Sequence, residues 1–209
     1  MTRIKICGIT SLDDALAASR FGADALGFNF YRKSPRYISP TDAGKITDEL
    51  GNEISKVGVF VDAAPDEIAN AAEAAGLDAV QLHGDEAPET VAELRRRTGS
   101  ILIKAFRVDA GFEPNIVRDF ETDFVLLDGF SAAEFGGSGS AFDWDIAIKV
   151  REMGVKLYLA GGLGPQNVAD AVQRVRPFGV DACSGLESSK GKKDHSKMKQ
   201  FIDSVRTAK

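Results

Sequence analysis

Three side chains able to move protons stand directly behind short apolar runs: the thiol of Cys7 after Arg3-Ile4-Lys5-Ile6, the imidazole of His83 after Ala79-Val80-Gln81-Leu82, and the carboxyl of Asp128 after Phe124-Val125-Leu126-Leu127. A carboxyl behind apolar residues suits a general acid, because partial desolvation raises its pKa and keeps the proton available. A thiol has a reference pKa of about 8.5, so it serves as a base or nucleophile only beside a cation, a helix N-terminus or a substrate that helps it ionise. Lys5 stands two residues before Cys7 and would share its side of a strand. Each group also has a plainer reading: Cys7 as a small buried hydrophobe, His83 as a satisfied core histidine, Asp128 as a turn cap.

Other segments could hold anions. In Phe28-Asn29-Phe30-Tyr31-Arg32-Lys33-Ser34-Pro35-Arg36-Tyr37-Ile38, cations and aromatics alternate, which suits an aromatic anion, and the planar fork of Arg36 suits a carboxylate. A solvated basic loop would look the same. Gly161-Gly162 and Ser184-Gly185 let backbone N–H groups approach a phosphate closely. The run Phe135-Gly136-Gly137-Ser138-Gly139-Ser140-Ala141-Phe142-Asp143-Trp144 reads as a flexible loop of the kind that closes over a ligand. Lys190-Gly191-Lys192-Lys193 reads as a solvated turn rather than a phosphate-steering patch.

What must position these groups is a series of eight candidate strands: Arg3–Ile6, Ala25–Phe28, Val57–Val61, Ala79–Leu82, Ile101–Ala105, Phe124–Leu127, Leu157–Ala160 and Val180–Cys183. Amphipathic stretches such as Ser11–Phe21, Pro65–Ala75, Ala87–Arg97, Pro165–Val175 and Asp194–Val205 lie between or after them, several opened by Ser, Asp or Pro. Strand starts recur at roughly 22 to 24 residues, with two longer intervals, which is room for a strand, a helix and two loops. The regular count, with no Gly-x-Gly-x-x-Gly after the first strand, favours a single (β/α)8 barrel, the TIM barrel, over an open doubly wound sheet. The expectation is one domain over residues 1–209. In such a barrel the active site lies at the carboxyl ends of the strands, where Cys7, His83 and Asp128 all fall.

Composition removes other classes. The 209 residues are 44% hydrophobic and 27% charged with a formal charge of −5, so no electrostatic footprint for nucleic acid or an anionic membrane is present. No apolar run reaches the roughly 18 to 20 residues of a membrane span, so a soluble cytoplasmic protein is expected. Two cysteines cannot build a disulfide framework, and two histidines without paired ligand spacing make a structural zinc site unneeded. Neither a metal nor a cofactor is expected, and the chain would act as a monomer or homodimer on a small phosphorylated molecule.

Taken in order along the chain, Lys5-Ile6-Cys7-Gly8-Ile9, Ser34-Pro35-Arg36, Val57-Gly58-Val59-Phe60-Val61, Gln81-Leu82-His83-Gly84, Leu126-Leu127-Asp128, Gly136-Gly137-Ser138-Gly139 with Phe142-Asp143-Trp144, Ala160-Gly161-Gly162-Leu163 and Ser184-Gly185-Leu186-Glu187 closely resemble the phosphoribosylanthranilate isomerases nearly end to end. The resemblance implies a (β/α)8 barrel that converts N-(5-phosphoribosyl)anthranilate into its 1-deoxyribulose 5-phosphate isomer by an Amadori rearrangement in tryptophan biosynthesis, without a cofactor. By the same resemblance Asp128 is the general acid and Cys7 the general base, Arg36 holds the anthranilate carboxylate, and backbone around Gly161, Gly162, Ser184 and Gly185 cradles the phosphate. Lys5 and His83 join the substrate-binding set. Ser138 stands where the family often has Thr, and Ala182-Cys183 where Val-Ser is more usual.

Three competitors share parts of this pattern. Another phosphosugar barrel, an epimerase or indole-glycerol-phosphate synthase relative, would use the same phosphate loops, but an epimerase of that kind wants metal-ligand histidines and a synthase a lysine-rich set. A silent barrel would bind without turnover and would have no chemical need for Cys7 and Asp128. Dual specificity toward a histidine-pathway isomer would ordinarily need two phosphate sites, and one pair of loops is evident.

Overall fold

The computed structural model describes residues 1–129 and 144–208, so the run Phe135–Ser140, together with Phe142 and Asp143, lies outside the described residues. Eight parallel strands close on themselves in sequence order: β1 (Arg3–Cys7), β2 (Ala25–Asn29), β3 (Ser55–Phe60), β4 (Ala79–Leu82), β5 (Ile101–Val108), β6 (Phe124–Gly129), β7 (Leu157–Ala160) and β8 (Gly179–Ala182). Closure is made by β1 against β8, with Lys5 opposite Asp181 and Ile6 opposite Ala182. The TIM barrel expected from the strand spacing is the fold observed.

Alternation along each strand divides its residues between two packing regions. Ala25, Val57, Ala79, Ile103, Leu126 and Tyr158 form one buried cluster contributed by β2 to β7, which fills the barrel. Residues of opposite parity, such as Ile4, Ile6, Leu26, Phe28, Leu127, Leu159 and Val180, pack outward under the helices. Three aspartates tie neighbouring strands together at their amino ends. Asp24, Asp78 and Asp123 each accept the backbone N–H of the strand next door, from Ile4, Lys56 and Leu102 at 2.8 Å.

The helices are α1 (Leu12–Phe21), α2 (Pro40–Thr47), α3 (Pro65–Ala74), α4 (Pro88–Arg97), α5 (Trp144–Glu152), α6 (Val168–Val175) and α7 (His195–Thr207). Ser11, Ser39 and Asp194 cap α1, α2 and α7 by accepting N–H groups of the first turn. Proline opens α2, α3 and α4, where its missing N–H costs nothing. On α6 the buried residues Val168, Ala171, Val172 and Val175 make the i, i+3, i+4, i+7 stripe that faces the barrel.

Two features differ from the sequence expectation. Strand β5 continues to Val108 instead of ending at Ala105, and in residues 109–123 a 3₁₀ segment, Pro114–Asp119, stands where an α-helix would follow the strand and buries Val117. The run Lys190–Lys193 is not simply a solvated turn. Gly191, at φ +80°, turns a small antiparallel hairpin of β9 (Glu187–Ser189) and β10 (Lys192–Lys193). Lys193 there is only 3% exposed, with its ammonium 3.3 Å from Glu187 Oε1 and 3.2 Å from the Cys183 carbonyl.

Candidate active site

At the carboxyl ends of the strands lies a cavity of about 250 Å³, lined by Cys7, Arg36, His83 and Asp128 together with the Gly161-Gly162 loop and Ser184. A second cleft, about 280 Å³, opens at the amino ends of β6 and β7 beside Phe124 and Lys156, and none of the proposed chemical groups borders it. The barrel therefore gathers residues far apart in sequence at one rim, the rim expected for catalysis in this fold.

Cys7 ends β1 and is buried. A hydrogen bond with Cys183 and the positive charges of Lys5 and Lys193 hold its thiol well below the ordinary value, although burial pushes the other way. That same hydrogen bond, with burial, pushes the Cys183 thiol well up. Proximity of the two follows from register: Ile6 pairs with Ala182, so the next positions on β1 and beyond β8 stand side by side. Of the two sulfurs, Cys7 is the one whose surroundings favour the thiolate, the form a base requires.

Lys5 does not line the cavity. It is 1% exposed, below Cys7 in the barrel interior, and its ammonium lies 3.0 Å from Asp181. Burial pushes the Asp181 carboxyl up to about 7 despite that partner, and the Asp181 and Cys7 charges hold the Lys5 ammonium above its ordinary value despite its own burial. Lys5 thus places a positive charge next to the Cys7 thiol from beneath rather than from the pocket wall.

Asp128 sits within β6, and its Oδ2 lies 3.2 Å from His83 Nε2. His83 is in turn 2.9 Å, at Nδ1, from the amide nitrogen of Gln81. The turn after His83 is fixed by a buried pair, Lys104 and Glu86, 2.8 Å apart. Lys104 also donates to the Gly84 carbonyl at 2.7 Å, while Glu86 accepts the Gly84 and Asp62 N–H groups.

Arg36 reaches the cavity from the long loop after β2. Ser34 Oγ accepts its backbone N–H at 3.1 Å, and its Nε and Nη2 donate to the two oxygens of Glu187 at 2.7 and 2.8 Å. These bonds use two of the five N–H donors of a guanidinium, so its outer edge can still receive a carboxylate. Glu187 and Lys193 were not singled out from sequence as site residues. The signal available was weak: Glu187 closes the Ser184-Gly185-Leu186-Glu187 motif, and nothing local says that it reaches Arg36.

The glycines after β7 and β8 are needed for backbone reasons. Gly161 has φ +86°, and a Cβ there would stand 2.3 Å from the Gly129 nitrogen; Gly162 has φ +65°. Gly185 does not line the cavity, but a Cβ on it would meet the Leu163 carbonyl at 2.3 Å, so it lets the loops after β7 and β8 pack together. Ser184 opens a short 3₁₀ segment, Ser184–Leu186. One further cluster, Asp13, Asp14 and His195, lies away from the cavity at the start of α7, where His195 Nε2 meets Asp14 Oδ1 at 2.8 Å. Among the described residues no helix is long and apolar enough to cross a membrane.

Comparison with known proteins gives a consistent result. The family model for N-(5'-phosphoribosyl)anthranilate (PRA) isomerase matches residues 4–204. An N-(5'-phosphoribosyl)anthranilate isomerase from Geobacter sp. (strain M21) is 48% identical over 202 residues, 97% of each chain. A phosphoribosylanthranilate isomerase solved in complex with reduced 1-(o-carboxyphenylamino)-1-deoxyribulose 5-phosphate is 43% identical, with a TM-score of 0.85 over 99% of each chain. Monomers generated from the dimeric phosphoribosylanthranilate isomerase of Thermotoga maritima are 41% identical, with a TM-score of 0.84 over 99% of this chain and 100% of that one. The chain belongs to the phosphoribosylanthranilate isomerase family, enzymes of tryptophan biosynthesis built on the TIM barrel.

Proposed function

We propose that the cavity converts N-(5-phosphoribosyl)anthranilate into 1-(2-carboxyphenylamino)-1-deoxyribulose 5-phosphate by an Amadori rearrangement, with Asp128 as general acid and Cys7 as general base. The observation that carries this reading is that a thiol held toward its thiolate form and a carboxyl on a different strand line one cavity, with Arg36 and the glycine loops around them.

The proton traffic divides between the two groups. Asp128 gives its proton to the ribose ring oxygen as the bond from that oxygen to the first ribose carbon breaks, and the anthranilate nitrogen lone pair makes the iminium. The Cys7 thiolate then takes the proton on the second ribose carbon, and the electrons of that C–H bond neutralise the iminium as an enol-amine. Tautomerisation moves the enol proton to the first carbon and leaves the ketone. Removal of either group should slow turnover by about a hundredfold to ten-thousandfold.

Recognition falls to groups around that pair. The free edge of Arg36 takes the anthranilate carboxylate, His83 faces the ribose beside Asp128, and N–H groups around Gly161, Gly162, Ser184 and Gly185 surround the phosphate. The chemistry needs neither an electron acceptor nor a metal-bound water, so no cofactor enters it. The solved complex of a relative with the reduced product analogue supports a phosphorylated ligand of this shape.

The test is a pair of variants, Cys7→Ser and Asp128→Asn, assayed for turnover and for binding of that reduced analogue. Turnover lost with binding retained is the expected outcome. Binding lost with turnover per bound substrate intact would contradict both roles.

A further inference from the structure

Gln81 is a side-chain amide fully buried inside the barrel, flanked in register by Val59 on β3 and Ile103 on β5. Burying an amide among hydrocarbon costs free energy unless each polar atom finds a partner. Its Oε1 finds none among the described residues, and an unpaired buried acceptor is destabilising. A leucine or methionine would occupy similar space without that penalty. What neither could do is meet a ring nitrogen: the Gln81 amide nitrogen is 2.9 Å from His83 Nδ1, and His83 Nε2 is 3.2 Å from Asp128 Oδ2.

With the amide in this orientation its NH₂ donates and Nδ1 accepts, so a singly protonated imidazole carries its proton on Nε2, pointing at Asp128. Turning the amide over would pair Oε1 with an Nδ1–H and make the NH₂ group the unpaired one. For Asp128 to act as an acid, the His83–Asp128 pair must hold a second proton besides that on Nε2. Two positions compete for it: His83 Nδ1, facing into the barrel, and the Asp128 carboxyl, facing the cavity.

We propose that Gln81 is a positioning residue for the acid: its amide N–H fills the Nδ1 lone pair, keeps His83 neutral and directs the second proton to the Asp128 carboxyl, where the substrate can take it. This rests on the reading of Asp128 as general acid given above. The Nε2–H bond to Oδ2 then stabilises the carboxylate left when the proton has gone. Among the described residues, the other titratable groups lining the cavity with the pair are Cys7 on β1, Arg36 in the loop after β2, and Asp181 and Cys183 on and just beyond β8. Arg107 on β5 is the register neighbour of Asp128, and Asp62, Glu86 and Lys104 bind the turn after His83.

The experiment reads the ring nitrogens of His83 by ¹⁵N NMR in the full chain, with His83→Asn to assign them against His195, and compares kinetics of Gln81→Glu and Gln81→Met. A carboxylate at position 81 accepts a proton from Nδ1 and so draws the second proton inward. The expected results are an unprotonated Nδ1 in the parent, a doubly protonated His83 persisting to higher pH in Gln81→Glu, and a kcat about tenfold lower or more with KM within about threefold. Gln81→Met should lose less, because it leaves Nδ1 empty without attracting a proton. A protonated Nδ1 in the parent would overturn the proposal even if Gln81→Glu fails to fold, as would parental kcat in a folded Gln81→Glu. Full turnover in Asp128→Asn would instead remove the acid reading on which the proposal rests, and the nitrogen resonances report the tautomer separately.

Discussion

Arg36 and Glu187, 151 positions apart in the chain, meet in a two-pronged ion pair of 2.7 and 2.8 Å at the mouth of the barrel. Glu187 also takes the ammonium of Lys193 at 3.3 Å, so one carboxylate anchors both a loop cation and a buried one. The fork leaves the guanidinium plane little freedom, and the edge left over is aimed rather than swinging.

Glu187→Gln should therefore loosen Arg36 without removing it. Losing a charge-assisted hydrogen bond is worth about 1.5 to 3 kcal/mol, so KM should rise by about tenfold to a hundredfold, with kcat far less affected. Steady-state kinetics on the two proteins decides this. Equal KM values would show that Arg36 needs no support from Glu187.

The same pair sets a pH dependence of stability. Burial raises the Glu187 carboxyl pKa, but Arg36 and Lys193 outweigh it, and the net position is below the ordinary value. A carboxyl lowered on folding adds stability above its unfolded pKa of about 4.3, and that contribution disappears as pH falls through the folded value. Urea unfolding of parent and Glu187→Gln should show a stability gap at neutral pH that narrows on acidification below about pH 4. A gap independent of pH would contradict the assignment.

Cys7 should be alkylated by iodoacetamide well before Cys183 as pH is raised, since the shared hydrogen bond lowers one thiol and raises the other. In Lys5→Met the loss of a cation next to the thiolate moves both the onset of Cys7 alkylation and the acid limb of kcat/KM to higher pH. Peptide mapping by mass spectrometry distinguishes the two cysteines. Preferential labelling of Cys183 would reverse the roles given to the sulfurs.

Lys104→Met should cost stability rather than chemistry alone. It strands the Glu86 carboxylate, whose side chain is 2% exposed, without its cation, and stranding a buried charge costs about 3 to 5 kcal/mol. Chemical denaturation measures this directly. A loss under about 1 kcal/mol would show that Glu86 is solvated or neutral in the folded protein.

Much of the architecture was legible in the sequence because it depends on local pattern. The apolar runs before Cys7, His83 and Asp128 are strands because β-branched and aliphatic residues cluster there, and the barrel rule places the residues that follow at one rim. What was not legible depends on contacts across the chain. The partnership of Arg36 with Glu187, the burial of Lys193 and the placement of Lys5 beneath the cavity rather than in it are set by barrel closure, which no local window contains. The 3₁₀ segment that stands in place of an α-helix between β5 and β6 was not legible either, nor were the three further residues of β5, because apolar periodicity does not mark where a strand stops.

The central claim is that this chain isomerises an aminated phosphoribose by acid and base groups of its own. It is tested most directly by supplying N-(5-phosphoribosyl)anthranilate, generated in situ, to the purified protein in the presence of a chelator, and by repeating the assay with Asp128→Asn. The account requires rapid formation of the deoxyribulose phosphate product by the parent and loss of about a hundredfold or more in the variant. A folded parent that leaves the substrate unchanged, or a variant that turns it over at the parental rate, would contradict it.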